Sequence, residues 1–210
     1  MESFINDTPV ATIIFIFTIV TSIYAFSNAE VYGKFMLHPY SVSRGRRLYS
    51  MITSGLIHKD WTHLLVNMLS YYFFAFTLEK TFVSLSSWGH VQFGVLYIAS
   101  IILSDITSIL KHKEDFWFNS LGASGAVCAV VFGYILFYPM SKMMIFPIPI
   151  PIPAVIYGFL FLGYCWYASR NSRDAINHDA HFYGALTGVL FTIIYYPDVA
   201  GYFVNQLTGR

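Results

Sequence analysis

The sequence predicts an all-α membrane protein built from six transmembrane helices. Three observations point there. Hydrophobic residues fill 56% of the 210 positions and charged residues only 11%, about half the charged share of a soluble domain. Aromatic residues reach 19% and the mean hydropathy is +0.57. Apolar runs recur six times, each near the length that crosses a bilayer. A net charge of +1 without a basic patch offers nucleic acid no footing, so the partner expected from composition is the lipid bilayer. Cys128 and Cys165 lie inside apolar runs and read as packing residues, not a disulfide framework. No internal repeat or second domain is visible, so residues 1–210 are expected to form one membrane domain.

The elements follow in order. The first run, 10–26, is preceded by Glu2 and Asp7 and by no Lys or Arg. A secretory signal wants a basic start and a shorter apolar core, so this reads as a retained helix. In the segment 28–60, Arg44, Arg46 and Arg47 cluster among Phe35, Met36, Tyr40 and Leu48. That mixture predicts a loop lying at the lipid headgroups. The second run, 61–78, carries His63 and Asn67 four residues apart, hence on one helical face. The third, 91–110, carries Asp105 near its end, and a short charged loop follows. The fourth, 121–138, opens with Gly122-Ala123-Ser124-Gly125 and is closed by Pro139. Across 146–153 every second residue is proline, starting at Pro147. Proline cannot donate to a helix ladder, so an extended connector with no catalytic role is expected. The fifth run is 154–168 and the sixth 181–196. Several runs fall short of the roughly 20 residues of a full crossing. Short spans thin the membrane or stop part-way, which lets water reach a site near one face.

Strongly polar side chains inside spans are costly and tend to be functional. Consecutive spans alternate in direction. His63 and Asn67 open the second span, Ser124 the fourth and His181 the sixth, so all four reach one membrane face. Asp105, near the end of the third, reaches it too. Hydrolysis needs a nucleophile, a base and a stabilised oxyanion. Ser124 sits at a helix start, where unpaired first-turn N–H groups and the helix dipole favour an anion. His181 suits the base, because an ordinary imidazole titrates near neutrality. His63, Asn67 and the Ser124 N–H can donate to the oxyanion. Asp179, two residues from His181, faces elsewhere on a helix, so a Ser–His dyad is more economical than a triad. Gly125, Ala129 and Gly133 recur every four residues on the fourth span, as do Ala180, Gly184 and Gly188 on the sixth. Small residues at that spacing let two helices pack backbone to backbone. His58, His90 and His112 read as interfacial loop residues.

With these residues assembled, the chain resembles the rhomboid family of intramembrane serine proteases. The resemblance rests on Trp61-Thr62-His63-Leu64-Leu65-Val66-Asn67-Met68, then Gly122-Ala123-Ser124-Gly125, then His181-Phe182-Tyr183-Gly184 with Gly188 a turn on. It covers nearly the whole chain and looks most like compact bacterial members. It implies a six-helix rhomboid-like bundle in a bacterial inner membrane. It also implies that Ser124 attacks a peptide bond in or near a substrate's transmembrane segment, with His181 as base and His63, Asn67 and the Ser124 N–H around the oxyanion. The first loop would lie partly in one leaflet, the fifth span would gate substrate entry, and no metal or cofactor is implied. Two departures stand out. Many members carry an aromatic residue one turn after the serine, stacked on the base, where this chain has Cys128. A Trp-Arg pair frequent in the first loop of relatives is absent. The resemblance puts the N-terminus in the cytoplasm. Counting Lys and Arg points the other way, since that orientation leaves only Lys80, Lys142 and Arg210 inside.

Two rivals have distinct signatures. A zinc-dependent membrane hydrolase would gather His58, His63, His178, Asp179 and His181. It leaves the Gly-Ala-Ser-Gly turn unexplained and predicts inhibition by chelators. A non-catalytic protein that binds membrane helices predicts substrate capture that survives Ser124→Ala, with no cleavage by the unmodified chain.

Overall fold

The computed structural model describes residues 2–145, 148–172, 174 and 176–209. A short helix α1 (Glu2–Asp7) leads into α2 (Pro9–Phe26). Pro9 presets a helical φ and lacks a donor that would have had no partner. The next two first-turn donors, the Val10 and Ala11 N–H groups, go to the Glu79 carboxylate at 3.2 and 2.7 Å. Glu79 is fully buried, and its Oε1 lies 2.6 Å from His90 Nδ1. This charge at the end of the second apolar run is therefore a helix cap supplied from far along the chain.

The long segment after α2 is structured. It holds α3 (Ala29–Phe35), α4 (Pro39–Val42), α5 (Ser50–Thr53) and a 3₁₀ turn at Ser54–Leu56. Two of its arginines are engaged by the protein itself. Arg47 donates through Nη2 to the carbonyls of Gly33, Lys34 and Met36 at 2.6, 2.9 and 3.1 Å. These are orphan acceptors at the end of α3. Arg44 donates to the Lys113 carbonyl at 2.7 Å and to Glu114 at 2.9 Å. Both bind protein.

The core is a helical bundle. α6 (Trp61–Leu85), α7 (Gly89–His112) and α10 (His178–Tyr195) surround α8 (Ser124–Phe137). The residues of α8 from Gly125 to Gly133 are all buried, so this strongly apolar helix is also the most central. At 14 residues it is about 21 Å long, against a hydrocarbon core of about 30 Å. It begins at Ser124 rather than at Leu121 because Gly122, at φ 122°, breaks the helical path just before it. α9 (Ala154–Asn171) leans on α10 and α8 from outside and buries only Ala154, Gly158, Cys165 and Ala168. α11 (Val199–Thr208) turns away from α10 by 108°. By length and composition, Pro9–Phe26 and Gly89–His112 can each cross a membrane, and α10 with α11 makes a third if counted as one bent span. The chain is an integral membrane protein of helical architecture.

The proline-rich connector is extended, as its composition requires, and it has a partner that the sequence reading lacked. β1 (Lys142–Ile145) pairs antiparallel with β2 (Ile148–Pro153), Lys142 opposite Pro153 and Met143 opposite Ile152. Phe146 and Pro147 lie outside the described residues.

Candidate active site

Ser124 is the first residue of α8, half-buried, with Ala123 before it in a helical conformation. Two glycines fix its surroundings. The Gly122 N–H donates to the Ser54 carbonyl at 2.9 Å. A Cβ on Gly122 would sit 2.6 Å from His63 Cε1 and 3.0 Å from Nε2. Gly122 is thus demanded twice, by its positive φ and by the imidazole resting on it. A Cβ on Gly125 would strike the Ser104 side chain of α7 and come within 3.3 Å of the Ala180 carbonyl of α10.

His181 lies in the first turn of α10. The helix is capped by Asn177, whose Oδ1 accepts from the Ala180 N–H at 3.1 Å. Asn177 Nδ2 donates to Ser108 Oγ at 2.6 Å and reaches Ser120 Oγ at 3.4 Å. One amide therefore ties the start of α10 both to α7 and to the turn that leads into Ser124. A Cβ on Gly184 would collide with the backbone of Gly125, and one on Gly188 with that of Ala129. The small-residue stripes are where α8 and α10 meet. They bring the residues flanking Ser124 and His181 into backbone contact. The side chains themselves stop short of a hydrogen bond: among the described residues Ser124 Oγ has no such contact with His181. Catalytic hydrogen bonds are often long before substrate binds.

The place left by Cys128 is filled from another helix. The Phe161 ring of α9 lies over the His181 ring, 6.2 Å between centroids and 25° between planes. His178 meets His181 edge-on at 6.1 Å. The Phe161 contact was not legible from the sequence, because the fifth-span register and the α9 tilt are set by packing, whereas His178 and His181 stand three residues apart on one helix. Asn177 did carry a signal, an Asn just ahead of the sixth run, as a helix cap requires.

His63 sits in the first turn of α6, its N–H held by Asp60 Oδ1 at 2.8 Å. Its Nδ1 accepts from the Lys59 N–H at 3.4 Å. The ring proton is thereby left on Nε2, the atom beside Gly122. Asn67 is buried, but its Nδ2 donates to the His63 carbonyl of its own helix at 3.0 Å, so one of its two amide protons is already used. Asp105, also buried, accepts from Ser54 Oγ at 3.3 Å. It steadies the turn whose carbonyl holds Gly122. Asp179 pairs with Lys111 and, as expected, does not face His181.

Of the three histidines read as interfacial loop residues, His58 keeps its loop position but is buried, and His90 and His112 stand at the two ends of α7. His58 is buried, its Nδ1 3.0 Å from Ser22 Oγ and its ring edge-on to His63 at 5.0 Å. His90 serves Glu79. His112 is half-buried, stacked on Phe118 at 3.6 Å.

A family model described as the rhomboid domain matches residues 45–198. Among curated proteins the chain is similar to RHOMBOID-like protein 12, mitochondrial, of Arabidopsis thaliana. That match is 24% identical over 176 residues, 75% of this chain and 50% of that protein. It is also similar to Rhomboid protein 1, mitochondrial, of Saccharomyces cerevisiae, 29% identical over 147 residues, 68% of this chain and 40% of that one. Putative rhomboid protease YdcA of Bacillus subtilis is 30% identical over 156 residues, 70% of this chain and 66% of its own length. The chain spans about half the length of several curated relatives it matches.

Proposed function

This chain belongs to the rhomboid family, and on that premise we propose that it is an intramembrane serine endopeptidase that cuts transmembrane segments of other membrane proteins. In this reading Ser124 is the nucleophile and His181 the general base. The His63 Nε2–H, the Ser124 N–H and the free amide proton of Asn67 receive the oxyanion. The observation that carries the reading is the close approach of α8 to α10 at Gly125, Ala180 and Gly184, of which Gly125 adjoins Ser124 and Ala180 adjoins His181. The chemistry then runs in two steps. Ser124 Oγ attacks the scissile carbonyl as His181 takes its proton. The imidazolium returns that proton to the leaving amine. Water repeats the cycle on the acyl-enzyme. The short α8 supports a recessed serine within reach of both a membrane-embedded bond and water. We place the protein in a bacterial inner membrane, as the family resemblance implies; the Bacillus relative, covered more fully than the two mitochondrial ones named above, supports a bacterial source.

The test is cleavage of a model transmembrane substrate by protein reconstituted in lipid. Ser124→Ala and His181→Ala should each lower the rate about a thousandfold or more, and a chelator should not lower it. Fluorophosphonate should label the unmodified protein and leave Ser124→Ala unlabelled. A second reading, a non-catalytic binder of membrane helices, draws on the open Ser124–His181 pair and the turned Asn67 amide. Substrate capture without cleavage or labelling would favour it.

A further inference from the structure

One cluster joins the proposed base to two side chains that the proteolytic reading leaves unused. Cys165 of α9, with His178 and His181 of α10, presents three ligand atoms that all lie within 4.8 Å of one another. Cys165 is fully buried and His178 is 4% exposed. His178 is set up in a particular way. Its Nε2 faces both Asp174 oxygens, at 3.1 and 3.2 Å. An ionised carboxylate only accepts, so the ring proton belongs on Nε2 and the Nδ1 lone pair is free. That Nδ1 is buried and has no hydrogen-bond partner. A buried, unpaired imidazole nitrogen costs free energy unless something uses it. A histidine fixed by a carboxylate through its other nitrogen is the arrangement metal-binding imidazoles use.

We propose that Cys165, His178 and His181 form a binding site for a thiophilic divalent ion, Zn²⁺ being the natural fit, and that the bound ion silences the hydrolase by occupying His181. The inhibitory part rests on His181 being the base. One thiolate and two imidazoles leave the fourth tetrahedral position to water. Tetrahedral zinc holds such ligands roughly 3.3–3.6 Å apart, so closing the site needs side-chain rotations of about 1 Å. On binding, the Cys165 thiol releases its proton to the buffer as the sulfur–metal bond forms, and both imidazoles bind as neutral ligands. Cys165 stands on α9, the least buried of the long helices around α8, so the ion also fastens α9 to α10. An aromatic partner for the base and a metal clasp for it come from the same helix face, through Phe161 and Cys165, one helical turn apart.

The experiment titrates the reduced, purified protein with CoCl₂ and follows the thiolate-to-cobalt charge-transfer absorption, with ZnCl₂ as competitor. Cleavage and fluorophosphonate labelling are measured on the same samples, each variant compared with its own metal-free rate. One cobalt per chain is expected, displaced by zinc. The band should vanish in Cys165→Ala and in His178→Ala, and Asp174→Asn should weaken binding about 10- to 100-fold. Zinc should suppress cleavage and labelling by unmodified protein, and Cys165→Ala should resist it. An active protein with no charge-transfer band, or one whose zinc inhibition survives Cys165→Ala, overturns the site. Loss of cleavage on chelation overturns the inhibitory role. A cobalt band on protein that neither cleaves nor labels when metal-free retains the site, while the proteolytic reading and the switch both fall.

Discussion

At the scale of single residues, position and partner matter more than residue type. The aromatic surface expected a turn after Ser124 arrives instead from Phe161, on the next helix of the chain. If that ring orients His181, Phe161→Ala should cut turnover about 10- to 100-fold by letting the imidazole drift, with a smaller change in KM. Phe161→Tyr should restore most of it. A drop confined to KM would assign Phe161 to substrate binding. His58 gives a second, independent test. It lies in the loop before α6, where burial, reinforced by nearby His63 and opposed by Asp60, lowers its pKa from the ordinary 6.5 to about 3. The folded state therefore holds the ring neutral while the unfolded chain protonates it. Its contribution is complete above pH 6.5 and is lost as the pH falls from there towards 3. Acid unfolding in detergent should steepen over that window, and His58→Asn should flatten the slope. An unchanged slope would contradict the assignment.

At the scale of elements, the α8–α10 seam is the feature on which the site depends. Gly184 and Gly188 touch backbone, not flexible side chains, so an added methyl has nothing to push aside. Gly184→Ala should destabilise the protein by about 1–3 kcal/mol and depress cleavage further than the loss of folded protein explains, because it separates Ser124 from His181. Gly163, which has open space around it, is the control: Gly163→Ala should leave the unfolding midpoint near that of the unmodified protein or raise it. These seams were legible in the sequence, since a four-residue repeat of small residues is a local signal. The caps were less so. Glu79, one residue past the second apolar run, carries no local sign of its role, because the amides it caps lie nearly seventy residues upstream. Arg47 looked like a lipid anchor, yet it serves carbonyls that appear only once α3 has formed.

At the scale of the whole molecule, the direction argument placed Ser124, His181, His63 and Asp105 at one end, and the packing groups them there. The opposite end holds Glu79, His90 and the Tyr196 hydroxyl, which donates to Gln92 Oε1 at 2.6 Å. α7 runs from one end to the other. Cysteines introduced at Ser87 and Lys113, just beyond its two ends, should therefore react with a membrane-impermeant maleimide from opposite sides, against a background kept low by the burial of Cys128 and Cys165. Labelling of both from one side would refute a crossing by α7. The side on which Lys113 reacts also decides the orientation, which charge counting and family resemblance read in opposite ways. Charge counting weighs every arginine equally, yet Arg44 and Arg47 are engaged by the protein itself.

The Glu79 cap has a consequence for biosynthesis. α2 leaves the ribosome with the Val10 and Ala11 amides bare, and their acceptor is 68 residues behind Ala11. At about 5–20 residues per second the carboxylate follows several seconds later. Through that interval the leading end of α2 has to stay where water or a lipid headgroup can serve it. A helix made well before α6 is thus finished only after it, and the final seating of α2 reports that α6 has arrived.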